Sequence, residues 1–476
     1  MPNLSAKTKK GLQWSAIERF LSQGIQLAIT LMLARLLGPT AFGLVGMLAI
    51  FIAVANVFVD SGFSAALIRK TDLSESDLVT AFYYNIAISI LCYFILYYSA
   101  PYIAYFYQQT ELEVLLRVSG LIVLINAFIL IPRMQLTVAM DFKTLAKISV
   151  VSVVISGLTA IVLALGGYGV WALVVQMLIN AICTLLLFIF YVPWWPRGKI
   201  TQTSFSYLFG FGSKLLISGL LDVIYNNLYQ IIIGKKFSPN VVGQFTQANQ
   251  LASVPAITLT GIIQRVTYPM FSRMQNDACA MTIAYRTTLK MAALVIFPLI
   301  VGLGLVAKPL LTTLLGEQWL PAANLLMILC LGFMLYPIHA INLNLLQVKG
   351  RSDLFLKVEI LKKIVGVSIL FLTIPYGVFY MCTGLVVTSY LSLLFNTYYT
   401  AKLINISQWQ QCKDLLPIWA AVILSALLAY MIGSYFNTIP YLQLFANVMV
   451  ALIVYSVYVL LAQKPLLRQL RTALRS

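Results

Sequence analysis

The run GVWALVVQMLINAICTLLLFIFYV, residues 169–192, contains no charged residue in 24 positions. A helix needs about 20 mainly apolar residues to cross the hydrocarbon core of a membrane, so this run predicts a transmembrane helix. Similar runs fill nearly all of the remaining chain, at 12–37, 41–63, 79–106, 113–133, 146–167, 208–233, 241–269, 288–310, 319–345, 354–375, 377–402, 415–436 and 440–463. The sequence therefore predicts an all-α integral membrane protein with about 14 transmembrane helices and no folded domain outside the membrane.

The composition of the chain supports the same class. Of 476 residues, 61% are hydrophobic and 10% are charged, whereas soluble domains average about 45–50% and about 25%. This balance excludes a soluble enzyme, a disordered chain and a nucleic-acid-binding domain, despite the net charge of +18. The six cysteines are scattered without a Cys-x-x-Cys motif and the chain has one histidine, His339, so neither a metal site nor a cofactor is predicted.

The distribution of Lys and Arg predicts the topology. Basic residues cluster at the N-terminus, in every second connection and in the C-terminal tail. Because cytosolic loops carry the excess of Lys and Arg, both termini are predicted to face the cytosol, which requires an even number of spans. Lys235–Lys236 is the one connection that contradicts the rule. The amphipathic segment Met134–Lys147 predicts a helix lying flat on the cytosolic surface, and Lys362 is predicted to extend toward the interface.

A short motif occurs twice at a spacing of 200 residues. RLLGPTAFG, residues 35–43, follows the first span, and KKFSPNVVG, residues 235–243, follows the seventh. An even number of spans separates the copies, so the repeat is parallel and predicts two pseudo-symmetric six-helix lobes, a common plan in transporters. We expect an N-lobe over 1–200, a C-lobe over 201–410 and two further helices with a basic tail over 411–476. Chance recurrence of Pro-x-x-x-Gly in helix hairpins is the alternative.

Polar residues inside the spans concentrate at the start of each repeat. Such groups are costly at membrane depth, so they should face a water-filled cavity or a partner. In the first and seventh spans they recur at helical spacing and form a stripe along one face. The predicted cavity lining comprises Arg19, Gln23, Gln26, Asn56, Lys214, Asp222, Asn226, Gln247, Gln250 and Arg265. The alternatives are interhelical hydrogen bonds for the amides and extension to the interface for Lys214 and Arg265.

The charges of this lining indicate the kind of ligand. The predicted cavity is more basic than acidic; an arginine suits a diphosphate, and amide walls suit sugar hydroxyls. Glu18, Asp60 and Asp222 are the predicted candidates for coupling to protons or sodium, because intramembrane acids often have that role. The alternative for Asp60 is a cap beside the turn at Ser61–Gly62, and for Asp222 it is exposure to the cavity without coupling. We expect His339 to be a hydrogen-bonded interior residue rather than a proton relay.

Several motifs resemble those of polysaccharide exporters. LARLLGPTAFGL at 33–44 looks like the hallmark after their first span, and DSGF at 60–63 followed by AALI at 65–68 is similar as well. So is the pairing of Trp14 with Glu18, and the run from 132 to 143 resembles their cytosolic elbow. The resemblance covers most of the chain. It is closest to the lipopolysaccharide-biosynthesis and colanic-acid-type exporters of the multidrug/oligosaccharidyl-lipid/polysaccharide superfamily.

The resemblance implies a flippase of the bacterial inner membrane. Such proteins move undecaprenyl-diphosphate-linked oligosaccharide from the inner to the outer leaflet by alternating access, for exopolysaccharide, O-antigen or lipopolysaccharide biosynthesis. It also implies contact with membrane lipids and with polymerase or export machinery. We expect a monomer that binds no nucleic acid and is not an enzyme. The rivals are a cation-coupled multidrug exporter of the same superfamily, which the basic cavity disfavours, and a membrane sugar polymerase or ligase, which would need a long outer loop.

Overall fold

In the computed structural model the described residues are 2–70, 72–404, 406–436 and 439–464, with side chains described from Leu21 onward. Within these ranges the chain forms helices and no strand, which confirms the predicted all-α class. The α-helices are α1 (Pro2–Asp60), α2 (Phe63–Arg69), α3 (Glu75–Tyr107), α4 (Glu111–Ser119), α5 (Leu121–Val138), α6 (Phe142–Leu165), α7 (Trp171–Tyr191), α8 (Gln202–Lys236), α9 (Pro239–Arg273), α10 (Ala278–Leu305), α11 (Ala307–Leu314), α12 (Leu320–Phe333), α13 (Tyr336–Val348), α14 (Ser352–Thr373), α15 (Val378–Ala401), α16 (Gln408–Gly433) and α17 (Pro440–Ala462).

The helices form two compact units. The first, residues 1–243, contains α1 to α8 and the start of α9, and the second, residues 244–476, contains the rest of α9 and α10 to α17. Helix α8, which the sequence assigns to the C-lobe, packs against α1, α2 and α3. The predicted lobe boundaries at 200 and 410 stay predictions.

Eleven segments of the described chain are helical, long and apolar enough to cross a membrane. The predicted spans 12–37 and 41–63 correspond to the two parts of α1 on either side of a break at Gly38, and the counted segment Leu21–Arg69 runs across that break. Helices α9 and α14, which match the eighth and eleventh predicted spans, are long enough but too polar to be counted. The number 14 therefore stays a prediction.

Both copies of the repeated motif are junctions between helical segments. Gly38 has φ 72° and ψ 177°, a conformation that side chains disfavour, and Pro39 begins the second part of α1. In the other copy α8 ends at Lys236 and α9 begins at Pro239. Proline suits the first turn of a helix because it lacks the N–H that would have no partner there.

The predicted surface helix at Met134–Lys147 is wrong. Helix α5 continues to Val138, and α6 begins at Phe142, so this segment is a tight hairpin between two spans. Met140 has φ 56°, and the carboxylate of Asp141 accepts a hydrogen bond from the Thr144 amide at 3.1 Å, which caps α6. The segment looks amphipathic because it contains the end of α5 and the start of α6, and each of these buries one side.

Helix α8 is held at both of its ends by the first unit. Near its start, Gly212 packs so closely on the Ser61 carbonyl that a Cβ would overlap the oxygen, and a Cβ at Gly62 would lie 2.8 Å from the Leu215 Cβ. Near its end, the ammonium of Lys235 donates to the Phe106 carbonyl at 2.6 Å, in the last turn of α3. This bond gives Lys235 a structural role and explains why it departs from the charge rule.

A buried polar network ties the helices of the second unit together. The hydroxyl of Tyr285 on α10 lies 2.8 Å from both Asn342 Oδ1 on α13 and Gln411 Oε1 on α16. The next residue of α10, Arg286, donates two hydrogen bonds to the carboxylate of Asp414 on α16, at 2.6 and 2.8 Å. The first of the two final helices is therefore joined to this unit by charge-assisted bonds.

We predict that Gly212→Ala lowers the thermal unfolding midpoint of the purified protein by several degrees. The new methyl group must displace the backbone at Ser61, and such overpacking costs about 1–3 kcal/mol. The matched control is Gly210→Ala on the same helix, where a Cβ meets open space. That control should be neutral or stabilising, because alanine is the better helix former. Equal midpoints for the two variants would contradict the packing described for α8.

Candidate functional site

Helix α8 exposes two faces of opposite character. Ile217 and Leu221 are 61% and 60% exposed, and their apolar side chains suit contact with lipid. Lys214, Asp222 and Asn226 are also exposed, along a stripe that begins beside these apolar residues and winds away from them toward Asn226. Polar and charged groups at membrane depth cost several kcal/mol in hydrocarbon, so this second face requires water or a polar ligand. The polar face of α8 is therefore the candidate site in the first unit.

Helix α1 contributes its polar residues to the same unit. Gln23 is exposed, and Gln26 is half-buried and donates to the Thr30 hydroxyl at 3.3 Å. Asn56 accepts a hydrogen bond from Asn126 on α5 at 3.1 Å, as in the alternative of interhelical bonding. The side chains of Glu18 and Arg19 lie outside the described residues.

The predicted site residues of the second unit lie on α9. Gln247 is 1% exposed, and neither of its amide atoms has a hydrogen-bond partner among the described residues. Gln250 is half-buried and Arg265 is exposed. A buried amide without a partner is costly, so Gln247 is a position at which a ligand or water would be stabilising. The neighbouring Gln244 is structural instead, because it bonds the Gln318 carbonyl and the Ala322 amide.

The predicted coupling acid Asp60 has a local partner. It ends α1 and accepts a hydrogen bond from the Ser64 hydroxyl at 2.5 Å, across a turn in which Gly62 has φ 70°. This geometry matches the alternative of a cap. Its role in coupling, like that of Asp222, stays a prediction.

Both ring nitrogens of His339 have partners. The amide nitrogen of Asn396 lies 2.9 Å from Nδ1, and Nε2 lies 3.1 Å from the Ser389 hydroxyl. That hydroxyl in turn donates to the Gly332 carbonyl. This arrangement agrees with the predicted hydrogen-bonded interior residue. No trio of His, Cys, Asp or Glu positioned for a metal ion was found in the described part of the chain.

An ion pair inside α14 was missed by sequence reasoning. The side chain of Lys362 is 16% exposed and pairs with Glu359. Its extension toward the interface stays a prediction. Lys362 lies midway along α14, where an ion pair with Glu359 stabilises its charge without contact with water. The opposite charges at i and i+3 were the available signal.

The two copies of the repeated motif contact each other through their backbones. A Cβ on Gly43 would overlap the Pro239 carbonyl, and a Cβ on Gly243 would overlap the Pro39 carbonyl. The contact is reciprocal, since each glycine faces the proline of the other copy. It places the middle of α1 against the start of α9, and only glycine permits this distance.

Comparison with known proteins gives a consistent result. Residues 32–324 match the family model described as polysaccharide biosynthesis protein. The teichuronic acid biosynthesis protein TuaB of Bacillus subtilis (strain 168) is 29% identical over 356 residues, covering 74% of each chain. The lipopolysaccharide biosynthesis protein WzxC of Escherichia coli (strain K12) is 26% identical, covering 76% of this chain and 74% of the relative.

Solved structures show the same fold at low sequence identity. The lipid II flippase MurJ in an inward closed conformation has a TM-score of 0.69 and 14% identity, covering 94% of this chain and 98% of that one. An inward-facing multidrug resistance transporter of the MATE family has a TM-score of 0.62 and 16% identity, covering 82% and 98%. These likenesses confirm the predicted fold class.

We predict that Gly243→Ala separates the two motifs and speeds amide hydrogen exchange in residues 36–43 and 237–243. Overpacking of about 1–3 kcal/mol corresponds to an increase in exchange rate of about fivefold or more. Exchange mass spectrometry of the protein in lipid nanodiscs measures it. Gly261→Ala, also on α9 but facing open space, is the control and should leave exchange unchanged. Unchanged exchange in Gly243→Ala would show that the contact does not hold the motifs together.

Proposed function

The chain belongs to the polysaccharide biosynthesis protein family, and from this premise we propose that it is a flippase for oligosaccharide linked through diphosphate to undecaprenol. The lipid-linked sugar would move from the cytosolic to the outer leaflet of a bacterial inner membrane. The observation that supports this most directly is the polar face of α8, which is exposed beside an apolar face. A headgroup of phosphate and sugar would use the polar face while the polyprenyl chain stays in lipid.

Different side chains suit the phosphate part and the sugar part of the headgroup. Lys214 and Arg265 carry the charge that a diphosphate needs, and Arg19 supplies a further guanidinium in the sequence of α1. Asn226, Gln23 and Gln250 can donate and accept hydrogen bonds, which suits sugar hydroxyls. Transfer between leaflets breaks no covalent bond, so these residues need only bind the headgroup and replace its water.

The mechanism that we propose is alternating access of two repeats, coupled to protons or sodium. Asp222 is the acid best positioned for coupling, because it lies on the exposed polar face rather than in a cap. We further propose that the protein acts as a monomer, without catalysis, beside polymerase or export machinery. Cytosolic termini follow from the Lys and Arg distribution.

A cation-coupled drug exporter is the second candidate, because MATE transporters share the fold. A cavity for cationic drugs would favour acidic and aromatic walls. The predicted cavity instead has Arg19, Lys214 and Arg265 against the acids Glu18, Asp60 and Asp222. One of these acids, Asp60, is bonded to the Ser64 hydroxyl at the end of α1. The deciding experiment is a gene deletion, which should abolish surface glycan and leave lipid-linked glycan on the cytosolic leaflet. Normal surface glycan with increased drug sensitivity would favour the second candidate.

We predict that Lys214→Gln reduces glycan export in the deletion strain by about tenfold or more. This corresponds to loss of a charge-assisted hydrogen bond worth about 1.5–3 kcal/mol. Lys214→Arg should retain export, because it keeps the charge. Lys236→Gln, an exposed lysine at the far end of the same helix, is the control and should export normally. Full export by Lys214→Gln would remove Lys214 from the binding site.

A further inference from the structure

Helix α3 is longer than the hydrocarbon core is thick. Near its start Asp77 pairs with Lys70 at 2.6 Å, and beside Tyr97 the guanidinium of Arg117 pairs with Glu113 at 2.9 Å. Arg117 lies 4.6 Å from the centre of the Tyr97 ring, and both members of its ion pair are about one-third exposed. Partly exposed ionic groups need water or headgroups, so we infer that Lys70, which is 27% exposed, and the Arg117–Glu113 pair lie near the two boundaries. The 20 residues between them (97 − 77) span about 30 Å, the thickness of the core.

With these boundaries the end of α3 projects out of the membrane, although the sequence predicts a span that continues to residue 106. Residues 98–107, which we call the outer ridge, add about 15 Å beyond Tyr97. A headgroup layer is about 5–8 Å thick, so the ridge extends past it. Helix α8 supports the ridge, because Lys235 donates to the Phe106 carbonyl and Gly234 packs on the Tyr107 ring. The Lys and Arg distribution predicts that this side is the outer one.

The exposed face of the outer ridge carries tyrosines. Tyr98, Tyr102 and Tyr105 recur at i, i+4 and i+7, which is one helical face, and they are 69%, 75% and 85% exposed. The same face below Tyr97 carries Leu91 and Phe94, which are purely apolar. The change from apolar to hydroxyl-bearing side chains coincides with the boundary set by Arg117. An interfacial aromatic belt accounts for Tyr98, but Tyr105 lies about 12 Å beyond that level.

We propose that the tyrosine face of the outer ridge binds the saccharide part of the lipid-linked product after it reaches the outer leaflet. This inference rests on the proposed function. A tyrosine ring presents an apolar surface to the C–H face of a sugar ring, and its hydroxyl bonds sugar hydroxyls. The face carries no charge, which suits a neutral polyhydroxylated ligand better than a phosphate.

Tyrosine iodination of intact spheroplasts tests the occupant without knowledge of the glycan. Spheroplasts of a glycan-producing strain are compared with those of an isogenic strain that lacks the transferase for the first sugar. We expect Tyr102 and Tyr105 to be protected only when the glycan is made, and Tyr168, an exposed tyrosine in the connection between α6 and α7, to react equally in both. Protection in both strains would indicate lipid, a second copy or another protein and would overturn the proposal, as would protection in neither.

Substitution tests the consequence. The double variant Tyr102→Ser with Tyr105→Ser should keep its abundance in the membrane and lose the glycan-dependent protection of Tyr98. Its export should fall by about tenfold, as expected for two lost stacking contacts. Tyr168→Ser should export normally. If gene deletion leaves export intact, the proposed function fails; if deletion abolishes export but protection does not depend on glycan, the ridge proposal alone fails.

Discussion

The cost of leaving a polar group in hydrocarbon governs the architecture of this chain. Each unpaired backbone group costs several kcal/mol there, which is why the described residues form helices with few and short connections. The same cost explains why the buried hydroxyl of Tyr285 and the buried carboxylate of Asp414 each have polar partners on a neighbouring helix. It also gives the polar face of α8 its meaning, because exposed charges at that depth require an aqueous or ionic partner.

Close backbone approach is the second requirement, and glycine meets it at the helix junctions. Lipid is as apolar as a leucine side chain, so helices in a membrane associate through packing and hydrogen bonds rather than through the hydrophobic effect. Gly212 brings α8 onto the end of α1, and Gly43 and Gly243 bring the two motifs into reciprocal contact. The repeated proline motif therefore has a structural role, because each copy provides the carbonyl on which the other copy's glycine packs.

Both requirements, partners for polar groups and close backbone approach, apply to helix α8, which also carries the candidate site. It starts the second repeat in sequence, but it packs on helices of the first repeat and is held at both ends. Its middle remains exposed on a polar and an apolar side. A helix that is held at both ends and is polar in its middle suits the binding of a headgroup that undergoes no covalent change. The same helix also contacts the end of α3, where Lys235 donates to the Phe106 carbonyl.

The sequence alone determined the class of protein, the family and the position of most helices. Long uncharged runs have one solution in a bilayer, and the LARLLGPTAFGL motif is specific enough to indicate the family. Tertiary structure decided what individual polar residues do. Asn56, Asp60 and Lys362 are polar residues of the predicted spans, as Lys214 is. These three have partners on a neighbouring helix, across a turn or one turn along. The spacing of polar residues along the sequence shows which face of a helix is polar. What that face contacts is decided by packing between residues that are distant in sequence.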